Sequence, residues 1–488
     1  MPSSKPTRHR EVERKFDVTE STVSPSFDGL SAVARVELSP AESLDAVYFD
    51  TADQDLARNK ITLRRRTGGT DEGWHLKLPA GADARTEVRL PLDSGDDTVP
   101  TDLLDVVLAI VRDKPLAPVA RISTTRYIQM LYGTDGAALA EFCDDQVTAS
   151  AVGGEEQAWR EWELELVSAD PGPDLLDRLS NRLLDAGAKK AGKGSKLARV
   201  LDTGEPAAPP PPAPEDPVHR AVAQQVGELI EWDRAVRADV WDSVHQMRVT
   251  TRKLRSLLKE SEESFGLTDD SWVLDELRTL AAILGVARDA EVLAERYGKA
   301  LVEIPGELVR GPVRERLVEG AKKRYAVGHR RSLVAMRTPR YFKLLDALEA
   351  LVAAGPTAAG NDAAPVTIDS AYKRVRKAAK AADEATEDRD EALHRIRKSA
   401  KRLRYTASAL GADKVSGAAK EIQTLLGEHQ DSYVSRAHLS QQSDAAHVAG
   451  EDTFTYGLLY QREHELAERA REQVEDALSS LHKSVRKL

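Results

Sequence analysis

Residues 204–217 read GEPAAPPPPAPEDP, seven prolines in fourteen positions. Proline fixes φ and removes a backbone donor, so this stretch is neither helix nor central strand. A semi-rigid polyproline spacer is expected, rising ~3.1 Å per residue and reaching roughly 40 Å. The sequence changes its period across it. Residues 8–200 hold short alternating segments punctuated by Gly, Asp and Pro: EVERKFDV, AVYFDT, ITLRRR, WHLKLP, TEVRLPL, TTRYIQMLY, ALAEFCDDQV and EWELELV. Period-two alternation reads as strand. Helical spacing interrupts this half only near Thr101–Asp113 and Asp174–Ala186. From Pro217 to Leu488 apolar residues recur at helical spacing among Ala, Leu, Glu, Arg and Lys, so this half is all-α.

The helical half is a duplication. VHQMRVTTRKLRSLLK at 244–259 matches LHRIRKSAKRLRYTAS at 393–408, and Leu284-Gly285-Val-Ala-Arg-Asp289 matches Leu426-Gly427-Glu-His-Gln-Asp431. Two matched segments in one order mark a repeat. A break at 355–365, GPTAAGNDAAP, separates the copies. The expected organisation is a strand domain at 1–203, a linker at 204–216 and a helical domain at 217–488, its repeats spanning about 217–354 and 366–488.

A chain of 488 residues exceeds one ordinary core, consistent with two domains. No run of eighteen apolar residues occurs, which excludes a membrane-spanning helix. The first residues lack the apolar core of a secretory signal. One cysteine, Cys143, allows neither an intrachain disulfide nor a cysteine zinc site. The cytoplasm is the expected compartment. The net charge of −10 argues against a generic nucleic-acid coat, yet 70 Lys and Arg leave ample material for a local basic surface.

The strands carry charges of both signs on single faces. Glu11, Glu13 and Lys15 share a face of the first strand; Arg64 and Arg66, His75 and Lys77, Glu87 and Arg89 pair likewise. Arg126 ends another polar series. Glu141 and Asp145 share a face, as do Glu161, Glu163 and Glu165. A solvated outer face would explain any one strand. Across the series, grouped carboxylates call for a hard divalent cation, Mg²⁺ or Mn²⁺, and grouped arginines for phosphate oxygens. No Walker loop is present, so this is a metal–oligophosphate site of another design. Cys143 sits between acidic residues, which blunts it as a nucleophile; core packing is its expected role. His75 is either a ligand or a partly buried strand residue.

Glu11-Val-Glu13-Arg-Lys15, Arg64-x-Arg66, Trp74-x-Leu-Lys77, Glu87-x-Arg89, Arg126, Glu141 with Asp145, Glu163-x-Glu165 and Ser195-Lys196 together resemble the CYTH domain, the family of triphosphate tunnel metalloenzymes. The resemblance implies an eight-stranded antiparallel barrel whose charged interior is a tunnel. It implies metal binding by Glu11, Glu13, Glu163 and Glu165. Lys15, Arg64, Arg66, Lys77, Arg89, Arg126 and Lys196 would hold a triphosphate, and Glu87, Glu141 and Asp145 would complete a second metal site or orient water. The reading leaves open whether the pair is Glu161/Glu163 or Glu163/Glu165, whether Asp144 or Asp145 faces inward, and whether Arg65 stays outside.

In the helical half, His245, Arg248, Arg252, Arg255 and Lys259 fall on one helix face, and His394, Arg397, Lys401 and Arg404 repeat the stripe. Neither segment contains an acidic residue. Asp289 and Asp431 either orient these cations or cap helices. The duplicated pattern, with Lys253 and Arg402 beside the stripes, resembles the CHAD domain, which implies binding of inorganic polyphosphate and, with it, association with polyphosphate granules. The combined expectation is metal-dependent hydrolysis of triphosphate or polyphosphate in the barrel, with polyphosphate bound by the helices. The alternatives are a binding protein without turnover, a CYTH enzyme acting on thiamine triphosphate or ATP, and nucleic-acid binding. The last is disfavoured by overall acidity and the lack of interleaved aromatics.

Overall fold

The computed structural model describes residues 6–81, 83–92, 98–167, 174–201, 216–268, 271–355, 367–384 and 389–488. Residues 204–215 of the spacer and 356–365 of the break between repeats lie outside these. The chain divides into two compact units, Met1–Pro212 and Ala213–Leu488.

The first unit is a closed antiparallel barrel. Its strands are β1 (Thr7–Val18), β3 (Glu42–Asp50), β4 (Thr62–Thr67), β5 (Gly73–Pro79), β6 (Ala84–Leu90), β7 (Ala117–Tyr132), β8 (Ala138–Ala151) and β9 (Gln157–Leu166). They run in the order β1-β6-β5-β4-β3-β7-β8-β9, and β9 returns to β1. The twelve-residue β1 closes the barrel by pairing twice, through Thr7–Val12 with β6 and through Glu13–Val18 with β9. Two short strands lie outside the closed circuit: β2 (Arg35–Leu38) on β7 and β10 (Lys189–Lys190) on β1. These two lack an alternating pattern long enough to read.

The barrel is apolar outside and charged inside, the reverse of an ordinary one. Phe16, Phe142, Trp162 and Leu164 face outward and are covered by Leu175, Leu176, Leu179 and Leu183 of a helix at Leu175–Asp185. Each such enclosed side chain contributes roughly 1.5–3 kcal/mol, an upper estimate against an extended unfolded chain. With this packing held on the exterior, the interior is free to carry charge. Numbering helices in chain order, α1 is Asp55–Arg58, α2 Thr101–Val111, α3 the covering helix and α4 Lys196–Val200. The sequence pattern announces α2 and α3; α1 and α4, of four and five residues, are too short for a 3.6-residue period to show. Leu197 and Val200 of α4 pack against Ala46, Tyr48, Ala120, Ile122, Val147 and Ala149, closing one end of the barrel.

The second unit is helical. Asp216 accepts a hydrogen bond from the His219 amide at 2.7 Å, and Pro217 occupies the first turn of α5 (Pro217–Arg237). An N-cap aspartate followed by a first-turn proline is a strong helix start. There follow α6 (Ser243–Glu260), α7 (Trp272–Glu303), α8 (Gly320–Ala335), α9 (Pro339–Ala354), α10 (Ile368–Asp383), α11 (Arg389–Ala409), α12 (Asp413–Val448), α13 (Phe454–Glu472) and α14 (Val474–Val485). The matched sequences make α11 and α12 the counterparts of α6 and α7. Helix α6 packs on α7, α11 on α12, and α6 meets α11. Tyr372, Leu393, Ile396, Leu403, Ile422, Leu426 and Leu481 form the core of the second repeat. Tyr297 and Leu301 of α7 join Leu439 of α12 and Tyr456 and Leu459 of α13 in a core that bridges the repeats.

Candidate functional site: a charged tunnel and a basic cluster

The barrel encloses a cavity of about 280 Å³. Strand register explains which side chains meet in it: Glu13 lies opposite Glu165, Lys15 opposite Glu163, Glu141 opposite Glu165, Arg126 opposite Asp145, Lys77 opposite Glu87 and Arg64 opposite Tyr48. Towards the end closed by α4, Lys196 is held by Asp145 (2.8 Å), Glu161 (2.8 Å) and Glu163 (2.7 Å). Arg126 grips Asp145 through two hydrogen bonds of 2.8 and 2.7 Å and reaches Glu163 at 2.5 Å. Lys15 pairs with Glu163 and, at 3.0 Å, with Glu13. Lys77 lies 2.5 Å from Glu11, and Arg89 pairs with Glu87 and lies 3.4 Å from Glu11.

The two signs compensate one another unevenly. Burial opposes the charge on Lys196, yet Asp145 and Glu163 hold it well above its ordinary value. Burial likewise opposes ionisation of Glu13, but Lys15 and Lys77 hold it down at about 2. Glu11 and Glu165 are the exceptions: burial first raises both, and Glu11 then helps push Glu165 up to about 7. Arg66 is the cationic counterpart, lowered to about 9 by burial and by Arg64 and Arg126. Carboxylates short of cation therefore share the cavity with a guanidinium crowded by its own kind and paired with Asp71 of the β4–β5 turn.

In the helical unit the two stripes converge. Arg248 donates to the Ala281 carbonyl at 3.3 Å and lies 3.9 Å from Asp289, and Arg255 donates to the Leu274 carbonyl at 3.1 Å. Arg404 donates to Gln423 at 3.1 Å. Lys401 stands over the Tyr405 ring; burial, then the fields of Arg252, Arg397, Arg248 and Arg404, hold its ammonium down at about 6. Residues of both repeats therefore share one cluster. The glycines of the two Leu-Gly motifs make room for it: a Cβ on Gly285 would come 3.3 Å from the Arg248 guanidinium, and one on Gly427 would come 3.3 Å from that of Arg397.

Family models match both units: a CYTH domain over residues 9–186 and a CHAD domain over residues 220–440. Two Mycobacterium tuberculosis proteins, Rv2226 of strain H37Rv and MT2285 of strain CDC 1551, are each 66% identical over 504 residues, spanning 99% of this chain and 98% of theirs. The chain is a CYTH–CHAD protein. Among solved structures, PptA from Streptomyces chartreusis is 19% identical over 55% of this chain and 99% of its own, with a TM-score of 0.46. The CHAD domain of the plant Ricinus communis is 20% identical over 55% of this chain and 92% of its own, with a TM-score of 0.42. A CYTH domain is a triphosphate tunnel fold, its family's chemistry that of triphosphatases and cyclases. Among the described residues no helix is long and apolar enough to cross a membrane.

Every CYTH residue singled out above points into the barrel. Glu161, Glu163 and Glu165 all face inward; Glu163 and Glu165 line the cavity, and Glu161 lies behind them on Lys196. Asp145 faces inward, whereas Asp144 turns outward to Arg160 and Ser24. Regular pairing of β4 puts Arg64 and Arg66 inside and leaves Arg65 outside. Cys143 is buried, as the core-packing expectation has it, on the inward face of β8, its thiol donating to Glu141 at 3.1 Å and pushed well up by burial. One reading needs correction. His75 is fully buried, its Nδ1 2.9 Å from Glu87 and its Nε2 donating to the Asp71 carbonyl at 2.9 Å.

The CHAD residues are less uniform. Asp289 and Asp431 lie inside α7 and α12, so the capping reading is wrong. Arg402 leaves the cluster for Glu260, at 3.5 Å. Lys253 feels Glu228 and Arg404. His394 is exposed, while burial and then Arg288 push the His245 imidazole down. The sequence reading missed Arg85 (3.6 Å from Glu13), Tyr48 (accepting from Arg64 at 3.2 Å) and Asp71. Arg85 had a signal, two residues before Glu87 on the same face. Uncharged Tyr48 and loop-borne Asp71 had none.

The donors available to a metal are all carboxylate oxygens, which fits a hard divalent cation. Asp145, Glu161 and Glu163 form a group whose oxygens lie within 4.8 Å of one another. Only Glu163 of these belongs to the metal set implied by the resemblance. The remainder of that set is the undercompensated Glu165 with Glu11 and Glu13, whose charges both raise it, so a cation among them would relieve that repulsion.

Proposed function

We propose that the CYTH barrel hydrolyses inorganic triphosphate, or the ends of longer polyphosphate, with Mg²⁺ or Mn²⁺, and that the CHAD cluster binds polyphosphate. One observation carries this reading: a cavity within the barrel in which carboxylates and at least six cations face each other across a few ångströms. Glu11, Glu13, Glu163 and Glu165 would hold the metal. Bound there, it supplies charge neutralisation at phosphoryl oxygens and a more acidic water.

The chain's own groups do the positioning. Glu163 bridges Lys15, Lys196 and Arg126 and so occupies the place of an anion; a phosphate entering among these cations finds them already aimed. Arg64, Arg66 and Lys77 extend the cationic row along the cavity. Such preorganised cations stabilise the charge that spreads over the phosphoryl oxygens during in-line attack. Glu87, Glu141 and Asp145 remain to orient water. Tyr48 is the one aromatic residue lining the cavity among the described residues, and its hydroxyl is used by Arg64, which supports an inorganic substrate over a nucleotide or thiamine ester. We place this activity in the cytoplasm, alongside polyphosphate granules.

The test is phosphate release from tripolyphosphate, long polyphosphate, ATP and thiamine triphosphate, each with Mg²⁺, with Mn²⁺ and with chelator. Metal-dependent release fastest from tripolyphosphate is expected. Equal or faster release from ATP would shift the assignment to an organic substrate, and no release from any of the four would leave a binding protein.

A further inference from the structure

The rim of the tunnel opposite α4 carries an arrangement that the substrate reading leaves unused. By register the rim comprises the start of β3, the β4–β5 hairpin and the end of β6. The hairpin is laid down tightly. Gly68 and Gly69 have φ of 80° and 76°, and a Cβ on them would come 2.2 Å from the Ser43 carbonyl oxygen and 2.6 Å from Leu44 Cδ2. Its next residues, Thr70 and Asp71, line the cavity. The Asp71 backbone is tethered through its carbonyl to His75, and its carboxylate pairs with Arg66 and lies 4.0 Å from Arg89.

This ion pair differs from the others in the tunnel. Lys15, Arg126 and Lys196 are matched by carboxylates carried on barrel strands. Arg66 is matched by a carboxylate on a loop, 34% exposed, and the Arg66 Nε has no hydrogen-bond partner. An arginine beside Arg64 and Arg126 needs an anion, and in this state the anion is Asp71. We propose that Asp71 is a built-in competitor that a phosphate chain must displace in order to reach Arg66, making it a determinant of ligand length. The proposal rests on the tunnel being the triphosphate site. A short anion held at the α4 end by Lys15, Arg126 and Lys196 leaves Asp71 in place. A chain long enough to extend to Arg66 expels it, and after cleavage the shortened product lets Asp71 return, favouring release.

The test is steady-state hydrolysis of tripolyphosphate by the full chain, with orthophosphate as inhibitor, for wild type, Asp71→Asn, Arg66→Gln and the double variant. A partly exposed ion pair of ordinary strength corresponds to about a fivefold effect at most. Asp71→Asn should lower KM for tripolyphosphate by about that factor and leave inhibition by orthophosphate unchanged. In the Arg66→Gln background the same substitution should leave KM unaltered. Asp71→Ala serves as a second variant with the same expectation should Asp71→Asn not fold. A KM that is unchanged or raised, a loss confined to kcat, or an equal change in orthophosphate inhibition would overturn the competitor role while leaving the tunnel assignment standing. Absence of tripolyphosphate hydrolysis by wild type would overturn both.

Discussion

The two charged regions of this chain solve the same electrostatic problem in opposite ways. In the barrel, cations and carboxylates alternate across the strand register, so nearly every buried charge has a partner within about 3–4 Å. In the helical cluster, Arg248, Arg252, Arg397, Lys401 and Arg404 come together from two repeats with few carboxylates among them, and Lys401 yields by losing affinity for its proton. The barrel contains its own counter-ions, whereas the cluster has few. A fixed, mixed-charge site suits chemistry on one phosphoanhydride. An unbalanced one suits retention of a long anion.

The sharpest test of this contrast removes one carboxylate from the barrel. Glu13→Gln takes away a group that holds Lys15 and adjoins Glu165, without opening an apolar core. Turnover of tripolyphosphate in Mg²⁺ should fall by at least about a hundredfold, the scale of losing one preorganised electrostatic group, with an unchanged circular-dichroism spectrum. Wild-type rates would remove Glu13 from the site.

The next effect belongs to the cluster. Arg252→Glu combined with Lys401→Glu should weaken long-chain polyphosphate binding to residues 213–488 on the order of a hundredfold. It should also reduce the slope of log affinity against log salt by roughly two, as expected when two counter-ion-releasing contacts are lost. An unchanged slope would mean that the anion binds elsewhere.

How much of this was legible in the sequence follows from the same contrast. Strand alternation exposes side-chain facing directly, so Glu11 with Glu13, Arg64 with Arg66, Lys77 and Glu163 could each be put on a strand face from spacing, and the CYTH resemblance then implied that these faces form one interior. Helical spacing gives a face but not its destination. Arg252 and Arg402 look equivalent as basic helix residues, yet one joins the cluster and the other turns to Glu260. Gly285 and Gly427 were visible as repeated motif letters, but their use appears only when α6 and α11 are laid against α7 and α12. The competitor carboxylate Asp71 was hidden because a turn residue has no period to betray its direction.

The pH dependence of binding comes third in size, about tenfold per pH unit at most. With its free-state pKa at about 6, Lys401 is neutral at pH 8, and a bound polyanion raises that pKa. Binding therefore takes up a proton, so affinity rises as pH falls from 9 towards 6 and levels off below it. His245 is a weaker handle, because burial and then Arg288 push its imidazole down. Calorimetry in buffers of different ionisation enthalpy should detect uptake of up to one proton at pH 8, and Lys401→Arg should abolish it. Uptake that survives in Lys401→Arg would assign the proton to another group.

The smallest effect separates binding from stability. Gly285 and Gly427 lie inside long helices, where alanine is favoured by up to about 1 kcal/mol. The added Cβ would meet only the tip of an arginine, at 3.3 Å, so the guanidinium of Arg248 or Arg397 has to shift by a few tenths of an ångström. The two terms oppose each other in the folded protein, so Gly285→Ala and Gly427→Ala should change Tm by no more than about 3 °C in either direction. Binding would have no such compensation if, as proposed, the displaced guanidinium is one of the groups that hold the anion. Polyphosphate affinity should fall roughly two- to fivefold in each variant, and to a similar extent in both, because the repeats supply equivalent arginines. If one glycine matters and the other does not, the cluster belongs to a single repeat and the convergence of the two stripes is not what holds the anion.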